Sequence, residues 1–169
     1  LQFDVPWQSK PLVKRRNRIP ITERLTPPTG EIETPMSEEE VRAAAELFKK
    51  RGLDAVIVGF LFSFLNDAHE KRAVEIVKEV MPDAFVCASS EVVNVIREYE
   101  RFSSTAMNAY IGPKTALYLR SLESRLKKND INATVRIMQS NGGISTIDQS
   151  ASRPIGLLLS GPAGGVIGG

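Results

Sequence analysis

Short apolar segments that alternate with amphipathic segments predict an α/β fold with parallel strand pairing. Asp54–Phe64 and Ala84–Ala88 are continuous apolar runs, as in strands that are buried on both faces. The stretches around them carry apolar residues at helical spacing and have clear helix ends. Strands therefore alternate with helices in the predicted fold.

Residues 1–36 form the first predicted region, an extended and turn-rich entry segment. Its basic run, residues 12–19, reads as extended, and Pro20, Pro27 and Pro28 then favour loops and edge strands over helix.

The first helix begins after Ser37, a good N-cap with Glu40 three residues on, as in a capping box. Gly52 ends this helix. Its apolar face has spacings of three and four and consists of Val41, Ala44, Ala45 and Phe48.

Three more helices are predicted after the first buried strand. Asn66 or Asp67 caps one that Pro82 ends. The next two span residues 95–111 and 114–128, because Gly-Pro interrupts the pattern between them.

The last part of the chain is predicted to form two strands, a turn and a helix. A strand spans Thr134–Met138, and a Ser-Asn-Gly-Gly turn follows at residues 140–143. A second strand spans Gly156–Leu159, and a helix starts near Gly161.

Composition narrows the class of protein. The 169 residues are 42% hydrophobic and 25% charged, which excludes collagen-like, disulfide-scaffold and disordered chains. A net charge of +2 does not favour a nucleic-acid or membrane-surface protein. The longest apolar stretch, Ala55–Leu65, is shorter than the roughly 20 residues that a membrane span requires. A single cysteine, Cys87, allows no internal disulfide, so we expect a cytoplasmic protein.

Both ends of the sequence indicate a piece of a longer protein. It begins with Leu1 rather than methionine, and it stops inside GPAGGVIGG, which reads as the opening of a helix. We therefore expect flanking sequence in the parent protein.

One group of candidate substrate-binding residues lies in residues 97–110. Arginine with nearby amide and hydroxyl groups suits a polar carbonyl or a phosphorylated intermediate, because its guanidinium offers paired donors. Steps of four and three place Arg101, Thr105 and Asn108 on one helix face, and Glu98 lies one turn earlier on the same face. The alternative is a structural role in ordinary ion pairs that tie this helix to a neighbour. The group consists of Arg97, Glu98, Glu100, Arg101, Thr105 and Asn108.

A second group is a polar turn that directly follows a predicted strand, where α/β folds place ligand contacts. It consists of Gln139, Ser140 and Asn141, although Asn-Gly is also a common tight turn.

A third motif, LSGPAGG, permits close helix packing and is neither a P-loop nor a dinucleotide fingerprint. Its hinge and packing candidates are Ser160, Gly161, Gly164 and Gly165.

His69 and Cys87 do not indicate a catalytic centre. The only histidine lies in the first turn of a helix beside Asp67 and Glu70, which is too few ligands for a metal site. Cys87 has no neighbouring base and reads as a small core residue. We therefore predict no metal site and leave the catalytic residues unassigned.

Four ordered motifs make the chain resemble the hydantoinase A / 5-oxoprolinase family, which includes N-methylhydantoinase A and the ATP-using subunits of acetone and acetophenone carboxylases. The resemblance covers about Arg15 to Gly169. The motifs are FLFSFLNDAHE, SSEVVNVIREYERFSSTAMNAYIGP, IMQSNGG and LLLSGPAGGVIGG.

The resemblance implies an actin-like ATPase (ribonuclease H-like) architecture and an enzyme that uses ATP and Mg²⁺. It also implies the substrate, since members of the family activate a cyclic amide (hydantoin or 5-oxoproline) or, alternatively, a ketone. Many members work with a partner subunit or a fused hydantoinase B-like domain. No Asp-x-Gly-Gly-Thr phosphate loop occurs in the 169 residues, so we expect the isolated chain to bind no cofactor and to be inactive.

The resemblance also implies region boundaries. Residues 37–94 are the end of the family's N-terminal region, and 95–169 start the hydantoinase A region, before the second phosphate loop. LSGPAGGVIGG occupies the place of a small-residue helix at the hinge between two lobes.

Two other function classes remain alternatives to an enzyme fragment. Nucleic-acid binding would depend on KRRNR at residues 14–18, but no aromatic stacking platform accompanies these residues and nearby glutamates offset their charge. A non-catalytic interaction or assembly domain is the other alternative.

Overall fold

The computed structural model describes residues 11–131 and 133–168, and within them the chain has a mixed α/β fold. No helix in these ranges combines the length and apolar character needed to cross a bilayer. The strands are β1 (Arg24–Thr26), β2 (Glu31–Thr34), β3 (Ala55–Val58), β4 (Phe85–Ala88), β5 (Ile137–Met138) and β6 (Ile144–Ser145). The helices are α1 (Glu38–Lys50), α2 (Ala68–Val80), α3 (Ser89–Val92), α4 (Glu98–Lys128), α5 (Ile147–Ser152) and α6 (Ser160–Gly168).

Strands β3 and β4 pair in parallel, with α2 as the crossover between them, which confirms the predicted fold class. The register runs from Ala55 opposite Phe85 to Val58 opposite Ala88. Helix α1 packs on α2, and together these helices cover one face of the parallel pair. The main core lies in this layer and contains Met36, Val41, Ala45, Val56, Val58, Phe60, Ala73, Val74, Ile76, Val77, Val80, Met81 and Ala88.

The first helix has the predicted ends, with one difference. The Ser37 hydroxyl accepts a hydrogen bond from the Glu40 amide at 3.3 Å, and Gly52 follows the helix with a φ of +66°. The Glu40 carboxylate, however, accepts from the Thr22 amide at 2.6 Å and the Thr22 hydroxyl at 3.0 Å. The capping box is therefore half formed, because Glu40 ties the entry segment to α1 instead.

From residue 11 onward the entry segment is less extended than predicted, and its residues 1–10 lie outside the described ranges. Residues Arg15–Asn17 form a 3₁₀ turn, and β1 and β2 form an antiparallel hairpin. Gly30 in this hairpin lies so close to the loop after β3 that a Cβ there would be 3.0 Å from the Cβ of Leu65. The Asn66 amide donates to the Gly30 carbonyl at 2.9 Å. The hairpin thus packs against the chain that leaves β3.

The predicted strand Asp54–Phe64 is too long, since β3 ends at Val58. Residues 61–65 turn back, and Phe62 adopts a φ of +58°. The apolar run continues beyond β3 because the turn is also partly buried, so hydrophobicity alone did not indicate where the strand ends.

The prediction of two helices over 95–111 and 114–128 is wrong, because α4 is one helix of 31 residues with Pro113 inside it. Gly112 is buried against β4, and a Cβ at this position would lie 2.6 Å from the Phe85 ring. Both halves of α4 are anchored, Ala109 beside Cys87 and Leu119 in a separate apolar cluster. Burial on either side of the proline offsets the roughly 3 kcal/mol that proline costs inside a helix.

The C-terminal part departs from prediction at several elements, and β6 and α5 lie where neither a strand nor a helix was predicted. Residues Pro154–Leu157 form a 3₁₀ turn, so the predicted strand Gly156–Leu159 is wrong. The backbone N–H of Ile155 donates to the Asn108 side chain at 3.1 Å, which fixes this turn on α4. The strand predicted over Thr134–Met138 is limited to Ile137–Met138, and the helix predicted near Gly161 is confirmed as α6.

We expect Gly112→Ala to destabilise the protein by about 1–3 kcal/mol, because its methyl group would overlap the Phe85 ring. Ser121→Ala, at an exposed position of the same helix, is the control and gains helix propensity without meeting a neighbour. Urea denaturation of both variants checks this prediction. A Gly112→Ala variant as stable as Ser121→Ala would show that α4 does not approach β4 this closely.

Candidate functional site

The carboxyl ends of β3 and β4 lie side by side, and the chain leaves them through Gly59-Phe60 and Ser89-Ser90. In α/β folds this edge of a parallel sheet is where ligands bind. Five buried polar side chains gather at this edge and are called here the buried polar cluster: Ser63, Glu70, Ser89, Ser90 and Arg101.

Glu70 is the acidic centre of the cluster and is 0% exposed. Its Oε1 accepts from the Phe60 amide at 2.9 Å and from the Ser89 hydroxyl at 2.6 Å. Its Oε2 accepts from the amide and the hydroxyl of Ser90, at 2.8 and 2.7 Å. These donors replace the water that the carboxylate loses on burial, and no lysine or arginine in the described ranges lies within 4.0 Å of it.

Arg101 is the basic centre and is also 0% exposed. Its Nη2 donates to the Phe60 carbonyl at 2.6 Å and its Nη1 to the Val95 carbonyl at 3.3 Å. The guanidinium lies 5.6 Å from the Phe64 ring centroid and 5.2 Å from that of Phe102. The aromatic faces and backbone carbonyls therefore stabilise the buried cation.

The two charged side chains meet at one peptide unit, since Glu70 accepts from the N–H of Phe60 and Arg101 donates to its C=O. Phe60 is the second residue after β3. Because α2 carries Glu70 and α4 carries Arg101, this one residue joins both helices to the carboxyl edge of the sheet.

A buried ionisable pair forms at His69, the residue before Glu70. His69 Nδ1 is 3.0 Å from Glu23 Oε2, and both side chains are less than 10% exposed. The His69 ring meets the Phe60 ring edge-on at a centroid distance of 6.5 Å. The described ranges contain no group of three or more His, Cys, Asp or Glu side chains arranged to hold a metal ion. His69 therefore joins the N-terminal hairpin to α2.

The structure places the first predicted group on two sides of α4. Arg101, Thr105 and Asn108 share a face, as predicted, and all three are fully buried. The Thr105 hydroxyl donates to the Arg101 carbonyl at 2.7 Å. Asn108 donates to the Ser152 carbonyl at 3.3 Å and accepts from the Ile155 amide.

The remaining members of that group lie at the solvent-accessible start of α4. Arg97 and Glu100 are exposed and 4.0 Å apart, and Glu98, which is partly buried, lies 3.9 Å from Arg101. Arg97 has a φ of +83°, at the point where the chain enters the helix. These side chains remain candidate substrate contacts.

The second predicted group forms the turn between β5 and β6. The Asn141 side chain accepts from the Gly143 amide at 2.9 Å, and the Ser140 amide donates to the Gly156 carbonyl at 2.7 Å. Gln139 is partly buried beside Gly156. These contacts shape the turn, while its role in binding stays a prediction.

Among the hinge candidates, Gly164 is the one that approaches another element. A Cβ at Gly164 would lie 3.5 Å from the Met138 side chain, whereas Gly161 and Gly165 have open space around them. Ser160 is the first residue of α6. The close approach of α6 to β5 suits helix packing, and the hinge stays a prediction.

Sequence reasoning missed Glu70, Ser63, Ser89 and Ser90 as site residues. The signal for Glu70 was present, because it precedes Ala73, Val74 and Val77 by three, four and seven residues and so lies on the buried face of α2. An acid at such a position requires several donors around it.

Glu70→Gln is expected to lower the free energy of unfolding by about 3 kcal/mol, because the new NH₂ group would face hydrogen-bond donors. Glu75→Gln, on the same helix but exposed and paired with Arg72, should cost less than about 1 kcal/mol. Urea denaturation of both variants makes the comparison. Equal losses would contradict the special role of Glu70.

Cys87 is buried as predicted, and burial raises the pKa of its thiol to about 11. The unfolded thiol ionises near pH 8.5, so above that pH the unfolded state loses a proton that the folded state keeps. Relative to Cys87→Ala, the wild type should therefore lose about 1–2 kcal/mol of stability between pH 8 and pH 10. A pH-independent difference between the two proteins would show that the thiol is accessible to water.

Two family models match this chain. The model of the hydantoinase/oxoprolinase N-terminal region matches residues 1–81, and the hydantoinase/oxoprolinase model matches residues 101–169. An uncharacterized protein of Methanocaldococcus jannaschii is 42% identical over 99% of this chain, which covers 24% of that protein. Caprolactamase subunit alpha of Pseudomonas jessenii is 35% identical over 90% of this chain, which covers 22% of the subunit.

Solved structures show the same fold. The crystal structure of the ATP-dependent caprolactamase from Pseudomonas jessenii matches 92% of this chain with a TM-score of 0.79 and 31% identity, over 23% of its own chain. The nucleotide-free structure of acetone carboxylase matches 88% with a TM-score of 0.75 and 26% identity, over 21% of its chain. The chain thus spans about a quarter of the length of the relatives that it matches. The two family models and these relatives together show that the chain belongs to the hydantoinase/oxoprolinase family.

Proposed function

We propose that the parent protein is an ATP-dependent hydrolase that opens cyclic amides of the hydantoin, 5-oxoproline or lactam type. The observation that carries this proposal is the match to an ATP-dependent caprolactamase, which extends over 92% of this chain at 31% identity. The fold comparison and the sequence comparison both match a caprolactamase, since caprolactamase subunit alpha is also 35% identical to this chain in sequence.

A cyclic amide needs activation because resonance makes its carbonyl carbon a poor electrophile. ATP would supply that activation by transferring its γ-phosphoryl group to the carbonyl oxygen, with ADP as the leaving group, and Mg²⁺ would accompany the nucleotide. The phosphorylated carbonyl carbon is a better electrophile for water. Departure of the ring nitrogen, with a proton, then opens the ring, and hydrolysis releases phosphate and leaves a carboxylate. The residues of this chain do not themselves fit the nucleotide. The sequence lacks Asp-x-Gly-Gly-Thr, and the described ranges hold no cluster of three potential metal ligands. We propose that other parts of the parent hold Mg-ATP.

This chain would contribute a substrate-facing wall. The start of α4 presents Arg97 and Glu100 to solvent, next to the carboxyl edge of the sheet. The guanidinium of Arg97 suits a carbonyl oxygen that gains negative charge. The buried polar cluster would hold this wall in place, because Arg101 anchors the first turns of α4 to Phe60.

Ketone carboxylation is the second candidate function, since acetone carboxylase shares the fold at 26% identity. Both functions require a carbonyl group to be activated, so one geometry at the start of α4 serves either. The names of the relatives also include subunits, and we propose that the parent works with a second subunit.

The assay uses the full-length parent with its second subunit, Mg-ATP and one of three cyclic amides: hydantoin, 5-oxoproline or caprolactam. We expect ADP and the ring-opened product to form together. Neither product should form when ATP or the cyclic amide is left out. ATP-dependent uptake of bicarbonate with acetone or acetophenone, and no ring opening, would favour the carboxylase. Absence of both reactions would contradict the proposal.

Matched variants test the substrate-facing wall within the same assay. Arg97→Ala should lower turnover at least about tenfold at an unchanged melting temperature, as expected for a lost charge-assisted contact to the reacting group. Arg125→Ala, also exposed but near the other end of α4, should leave turnover unchanged. Equal turnover in the two variants would remove Arg97 from the site.

A further inference from the structure

The surface where the 3₁₀ turn meets the end of α1 concentrates positive charge. The Arg51 Nη1 donates to the Arg16 carbonyl at 2.6 Å and to the Asn17 side chain at 3.0 Å, which joins two segments far apart in sequence. This contact brings two runs of exposed basic residues to one part of the molecule, and together they are called here the basic patch: Lys14, Arg15, Arg16, Arg18, Lys49, Lys50 and Arg51.

No carboxylate in the described ranges lies within 4.0 Å of any of these seven cations. The nearest acids in sequence are Glu46, one turn before Lys50, and Asp54. Seven of the chain's 22 basic residues lie in the patch, so the remainder has 15 basic against 20 acidic residues. The small net charge of +2 therefore conceals a strongly uneven distribution.

Two arginines of the patch are held in place by neutral groups. Arg18 donates through Nε and Nη2 to the Val13 carbonyl, at 3.1 and 2.8 Å. Arg51 is fixed by a carbonyl and an amide oxygen. These contacts restrict the side chains without neutralising their charge, so a ligand that binds them loses less conformational entropy.

The cleft beside Arg51 is lined by Arg16, Asn17 and Leu53, and the exposed apolar side chains Leu12 and Ile19 flank the patch in sequence. Fixed guanidinium groups match carboxylates, and Leu53 in the cleft suits an apolar side chain of a polypeptide. A nucleic acid would be expected to use aromatic side chains for stacking, and none lies in the described part of this surface.

We propose that the basic patch is a docking surface for an acidic polypeptide segment of the second subunit. The proposal rests on the proposed function only for the existence of that subunit. Carboxylates of the segment would bind the free donor edges of Arg16, Arg18 and Arg51, and an adjacent apolar residue would cover Leu53.

The test measures binding of the full-length parent to its separately purified second subunit by biolayer interferometry at several NaCl concentrations. Arg15→Glu/Arg16→Glu reverses two charges whose side chains make no hydrogen bond in the described ranges, so the fold should be kept. Lys114→Glu/Arg120→Glu, an exposed pair on α4, makes the same change of charge elsewhere.

We expect the patch variant to raise Kd at least about tenfold and to reduce its salt dependence, and the control variant to raise Kd less than about threefold. Equal effects of the two variants, or no binding of the wild type to the subunit, would overturn the proposal. Patch-dependent binding to phosphatidylserine vesicles or to a DNA duplex, with subunit affinity unchanged, would assign the surface to those partners instead. The cyclic amide assay at saturating second subunit separates the two proposals, because the patch variant should keep its turnover there.

Discussion

The peptide unit of Phe60 is the point on which the carboxyl edge of this fold depends. Its N–H is bound by the Glu70 carboxylate and its C=O by the Arg101 guanidinium. Both side chains are completely buried, and each belongs to a different helix. Neither charge could remain in the interior without these donors and acceptors. The single residue Phe60 therefore sets the position of both α2 and the start of α4.

This arrangement explains why the strand stops where it does. The N–H and C=O of Phe60 could continue the hydrogen bonding of β3, but they bind the charged side chains of Glu70 and Arg101 instead. The chain then turns through Phe62, which has a positive φ. The same arrangement leaves Arg97 and Glu100 at the surface, because α4 is anchored one turn further along by Arg101. The buried interior thus supports the accessible residues that we propose meet the substrate, and we propose that its two charged side chains position α4.

Much of this could be predicted from the sequence where local signals and tertiary packing agree. The cap at Ser37 follows from residue type, and the parallel strands follow from apolar runs that alternate with helices. The shared face of Arg101, Thr105 and Asn108 follows from spacing. The direction in which that face points could not be predicted, because it depends on which surface α4 packs against. Pro113 is a second limit, since a local helix breaker was overcome by burial on both sides of it. Glu70 is a third, because periodicity shows where a side chain points but not which donors will surround it.

The central claim is that Glu70 and Arg101 hold the Phe60 peptide in the folded chain, and hydrogen exchange at the Phe60 amide tests it most directly. This amide lies outside β3, so its protection depends on the Glu70 carboxylate rather than on a strand ladder. Measured by NMR, it should exchange as slowly as the amides of β3, while the amide of Leu61 exchanges much faster. A Phe60 amide that exchanges as fast as that of Leu61 would contradict the account.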